Sequence, residues 1–89
     1  MTTHGRGTWF ASGHWRRMPV PLRELRESVR DAIASGLERG AGEQLLFVLA
    51  RSLVDLDGLM AGIVTDADPV VASANDALRQ WSLWLALSR

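Results

Sequence analysis

At 89 residues the chain has room for one domain, and with no cysteine that domain has neither a disulfide nor a thiolate metal site. Ten arginines, no lysine and ten carboxylates give a formal net charge of zero, which argues against a dedicated nucleic-acid binder with its large basic excess. A hydrophobic fraction of 47% is too high for a disordered chain, and a chain of this mass buries roughly 60% of its unfolded surface in one modest core.

Residues 1–20 follow no hydrophobic period. Gly5, Gly7 and Gly13 interrupt them, and Pro19 and Pro21 close them. They carry Arg6, Arg16 and Arg17 with no acid, a charge of +3, so the remainder of the chain carries −3. Trp9, Phe10 and Trp15 fall among them. This composition predicts an irregular, basic and aromatic arm over residues 1–20, followed by a helical domain over 21–89. The arm lacks the apolar run of a secretory leader, which makes a cytoplasmic location the expectation.

The first predicted helix spans about 21–39. Pro21 suits a first-turn position, where its missing N–H costs nothing. Leu22, Leu25, Val29, Ala32, Ile33, Gly36 and Leu37 fall on one stripe, with Arg23, Glu24, Glu27, Arg30, Asp31 and Glu38 opposite. Gly40-Ala41-Gly42 reads as a stop and a tight connection.

The second predicted helix spans about 43–64. Its main apolar stripe is Leu45, Leu49, Ser52, Leu53, Leu56, Leu59, Met60 and Ile63. A second stripe carries Phe47, Ala50, Val54 and Ala61, and Asp57 stands between the two. A helix apolar on two sides is central in a bundle or meets a second chain. Gly58 and Gly62, four residues apart, would allow a neighbouring helix to approach closely. Arg51, Asp55 and Asp57 at its centre make a membrane span untenable, since each costs a few kcal/mol in the bilayer.

Asp68 as an N-cap and Pro69 as first helical residue predict a third helix over about 69–87. Val70, Val71, Ala74, Ala77, Leu78, Trp81, Trp84 and Leu85 share a face, and Asn75, Asp76, Arg79 and Gln80 oppose it. Leu83 and Leu87 fall on the polar side, so the last two turns are apolar nearly all round. Three long helices with short connections predict an all-α fold, an antiparallel three-helix bundle behind the N-terminal arm. In that topology helix three ends at the pole opposite the arm, which separates Trp81 and Trp84 from Trp9 and Trp15.

No chemistry-bearing motif stands out. Both histidines, His4 and His14, lie in the arm, and the aspartate pairs lack the ligand pattern of a calcium loop. No nucleophile elbow, phosphate loop or dinucleotide fingerprint is present. The expectation is a protein without catalytic, cofactor-binding or metal-binding residues. Tryptophan and arginine dominate interface hot spots, and surplus apolar surface on a soluble helix marks an interface. The pattern therefore predicts a non-enzymatic interaction module: an adaptor, a regulator or an accessory subunit that self-associates through helices two and three and binds a protein partner. The candidate contact residues are Trp9, Phe10, Trp15, Arg16 and Arg17 in the arm, with Leu83, Trp84 and Leu87 at the far end. One alternative is weak association with nucleic acid through the arm, whose three arginines supply only a small counterion-release term. The other is a small-ligand or membrane-surface binder using the apolar C-terminal helix.

Overall fold

A computed structural model describes residues 20–88. Among them the chain forms α1 (Val20–Arg39), α2 (Glu43–Met60) and α3 (Ala67–Leu87), with each helix packed against the other two. The fold is the antiparallel three-helix bundle expected from the apolar spacing.

The core is one cluster. Val29 and Ala32 come from α1, Leu49, Leu56 and Leu59 from α2, and Val70, Ala74, Ala77 and Trp81 from α3. Leu49, Leu56, Leu59 and Val29 are almost wholly sequestered, and each contributes about 1.5–3 kcal/mol by leaving water. α3 offers mostly small side chains to this core and ends in one large one, Trp81. Ser52 shares the α2 stripe and is also buried, yet its hydroxyl makes no hydrogen bond among the described residues.

Both chain reversals follow from glycine. Gly40 (φ 75°) and Gly62 (φ 77°) adopt the left-handed conformation that side-chain-bearing residues avoid. After α1, the Ala41 N–H donates to the Gly36 carbonyl at 2.9 Å. After α2, the Ile63 N–H donates to the Gly58 carbonyl at 2.9 Å and the Gly62 N–H to the Leu59 carbonyl at 3.1 Å. This is the Schellman arrangement, which satisfies carbonyls that the helix end leaves without partners.

Gly58 and Gly62 therefore form a helix stop. A Cβ on Gly58 would lie 2.7 Å from Val64 Cγ2, so the missing side chain makes room for the returning chain. Consequently α2 ends at Met60, four residues earlier than its apolar pattern implied, and Ile63 leaves the stripe and becomes 80% exposed. Leu37 also departs from its predicted core position: in the last turn of α1 it is 66% exposed. α3 begins two residues early, with Asp66 rather than Asp68 at the N-cap position. Asp68 instead sits in the first turn, where a carboxylate complements the helix dipole. Pro69 is tolerated as third helical residue because first-turn N–H groups have no intrahelical acceptor.

At the α1–α2 connection the three helices converge on Gly36. A Cβ there would lie 2.9 Å from Leu46 Cδ2 of α2 and 3.4 Å from Trp81 Cζ3 of α3.

Two measurements follow from these features. Gly40→Ser should lower stability by about 1 kcal/mol, the cost of a left-handed residue with a Cβ. Gly42→Ser, at an extended N-cap position with open space around it (φ −65°), should raise stability by a few tenths of a kcal/mol. Opposite movements of the urea midpoint at unchanged slope would establish the difference. Ser52→Ala should stabilise the bundle by about 1 kcal/mol, because it removes a buried hydroxyl that has no partner among the described residues; a lower thermal midpoint for this variant would contradict that account.

Candidate functional site

The most specific polar contact between helices joins α1 to α2. The Arg26 Nε donates to Asp57 Oδ1 at 2.6 Å across 31 residues of sequence. Arg26 is on the apolar side of α1, one residue past Leu25 and three before Val29, so most of its side chain is covered; its exposure is 24%. Asp57 is about half exposed. This pair explains the acid between the two apolar stripes of α2. A guanidinium brought to the edge of the core has a carboxylate waiting for it.

The pair extends into a surface network. Glu27 Oε2 lies 3.7 Å from both Arg26 Nη1 and Arg30 Nη1. Arg51–Asp55 and Arg79–Asp76 are local pairs along single helices, at 3.9 and 3.5 Å. Exposed pairs of this kind contribute between zero and about 1 kcal/mol each.

Two depressions border the network. One of about 430 Å³ is lined, among the described residues, by Arg23, Glu24, Glu27 and Ser28, all on α1. The other, of about 260 Å³, adds Met60 of α2 to Arg23, Arg26 and Glu27. Ligand pockets are walled by several elements and predominantly apolar. Among the described residues the larger depression is lined by one charged helix alone, and the smaller one falls below the usual volume. Among the described residues no cluster of three His, Cys, Asp or Glu could hold a metal ion.

The bundle also leaves apolar side chains uncovered. Phe47 and Val54 on the outer side of α2 are 65% and 64% exposed, and Ala50 between them is exposed too. The second α2 stripe is thus not covered by α1 or α3. On α3, Leu83 and Leu87 stand away from the core at 58% and 84% exposure. Trp84 is half-buried and stacks on buried Trp81, with ring centroids 5.4 Å apart and planes 13° from parallel. Leu83, Trp84 and Leu87 therefore gather at one end of α3. Trp9, Phe10, Trp15, Arg16 and Arg17 lie outside the described residues.

The sequence reading missed Arg26. The available signal was a charged residue on an otherwise apolar stripe of α1, matched by an acid flanking the stripe of α2. No helix among the described residues is long and apolar enough to cross a membrane. No protein-family model matches the chain, and neither a curated protein nor a solved structure matches it.

A double-mutant cycle with Arg26→Met and Asp57→Asn should give a coupling of about 1 kcal/mol, since one partner is largely covered and the other is open to solvent. The coupling should shrink in 1 M salt, which screens the exposed carboxylate. A coupling near zero would reduce the pair to a surface contact.

Proposed function

We propose that the protein is a non-enzymatic interaction module, an adaptor, regulator or accessory subunit, that associates with itself. The observation that carries this reading is the apolar end of α3. Leu83 and Leu87 are mostly bare beside the Trp81–Trp84 stack, at the same end of the bundle as exposed Leu37. Scattered exposed leucines are ordinary, but several gathered beside a half-covered tryptophan resemble the core of an interface. The stack fixes Trp84 in place before any partner arrives, which lowers the ordering cost of binding.

In this reading the arm, with Trp15 and Arg16 as anchors, is the element that meets a protein partner. The proposal places the module in the cytoplasm.

Sedimentation equilibrium of the full chain at tens of micromolar tests self-association. The wild type should run as a dimer. Leu83→Glu with Leu87→Glu should run as a monomer with unchanged helical circular dichroism, because neither side chain belongs to the core. A wild-type monomer, or a dimer that survives the double substitution, would overturn the α3 interface.

A further inference from the structure

The outer side of α2 remains to be accounted for. Phe47, Ala50 and Val54 recur at helical spacing on it, Ala61 follows, and Ile63 stands bare just past the reversal. From Phe47 to Ala61 this surface is roughly 20 Å long at 1.5 Å per residue. It is separate from the α3 surface, since Leu83 and Leu87 belong to another helix at the opposite end from Ile63.

The charges along this stretch are predominantly acidic. Residues 43–68 contain Glu43, Asp55, Asp57, Asp66 and Asp68 against Arg51 alone. Asp57 and Asp55 have arginine partners, whereas Asp66 and Asp68 form no ion pair among the described residues. The dipole of α3 accounts for carboxylates at its start. It does not account for Ile63 and Val54 uncovered on the approach to them.

We propose that the outer side of α2, from Val54 to Ile63, is the docking surface for residues 1–19 of the same chain. Three features select this occupant over others. First, it is attached at the right place: α1 begins at Val20, at the end of the bundle where α2 stops and Ile63 is exposed. Second, it is long enough, since nineteen residues extend to at most roughly 60 Å and so reach the whole surface. Third, its chemistry is complementary. It offers Trp9, Phe10 and Trp15 to an apolar strip, and Arg6, Arg16 and Arg17, with no acid, to an acidic border. Tethering supplies a millimolar effective concentration, so even a weak contact is populated without a partner. A protein partner that takes hold of the arm then has to draw it off α2, which couples partner capture to exposure of the α2 surface.

The absence of cysteine makes the test direct. A nitroxide is attached to Thr65→Cys, an exposed position beside Ile63, or to Ser88→Cys at the far end of the bundle. The indole N–H signals of the four tryptophans are then read in the ¹⁵N-labelled full chain. With the label at position 65, the Trp9 and Trp15 signals should lose at least half their intensity. With the label at 88, they should be spared while Trp84 is broadened. Adding Val54→Ser and Ile63→Ser to the Thr65→Cys chain should restore the Trp9 intensity at least twofold, with Trp81 unchanged as evidence that the bundle is intact.

Trp9 broadening that ignores the serine substitutions would reflect the tether alone and overturn the proposal. Equal broadening when spin-labelled ¹⁴N chains are mixed with unlabelled ¹⁵N chains would assign the surface to a second copy and overturn it too. So would an arm untouched by the label at 65. None of these outcomes bears on the α3 dimer, which sedimentation reads separately.

Discussion

The bundle depends on one close approach. Gly36 lies where all three helices meet, and its missing side chain leaves room for Leu46 and Trp81 against the backbone of α1. The same residue supplies the carbonyl that accepts the Ala41 N–H as the chain turns back. One glycine thus sets both the spacing of α1 from its neighbours and the reversal into α2. Gly in a helix costs up to about 1 kcal/mol relative to Ala. Here that cost is offset by the burial of Trp81, one of the largest contributions available to so small a core. Gly58 does the corresponding work at the end of α2, where its missing side chain receives Val64 instead of another helix.

With such a narrow core, much of the apolar surface stays outside it. The small side chains of Ala32, Ala74 and Ala77 bring the helices together and leave little room for a second layer. Phe47 and Val54 on α2, and Leu83 and Leu87 on α3, then have nothing in the bundle to pack against. The uncovered apolar surface is a geometric consequence of the tight core, and two outward faces result. The proposals give them different occupants: the end of α3 meets a second copy, and the outer side of α2 holds the chain's own arm. The zero net charge supports this division, because it consists of a +3 arm and a −3 remainder.

Much of this was legible in the sequence because helical periodicity reports burial directly. Val29, Leu49, Leu56, Ala74, Ala77 and Trp81 were placed on core stripes by spacing alone, and all are buried. The ends were harder to place. A Gly-x-x-x-Gly spacing marks the stop of both α1 and α2, yet at Gly58 and Gly62 it also fits a helix-packing motif, and the apolar period runs through it to Ile63. Periodicity cannot see that φ turns positive at Gly62. Leu37 was misplaced for a related reason: it lies at the edge of its stripe, in the last turn of α1, and faces solvent there. Of the candidate contacts, the surface position of Leu83 and Leu87 was readable from the helical wheel, whereas the Arg26–Asp57 contact required knowing which helix faces lie side by side.

The sequence by itself determined three helices, their apolar stripes, their antiparallel order and the separation of a basic arm from an acidic remainder. These are properties of spacing, short connections and charge, which act locally along the chain. Only the tertiary structure decided that the second stripe of α2 is outside the core, that Arg26 meets Asp57, and that Gly58 and Gly62 form a reversal. Each of those depends on distances between residues remote in sequence, or on a backbone angle at one residue. Neither is encoded in the period of the hydrophobic pattern.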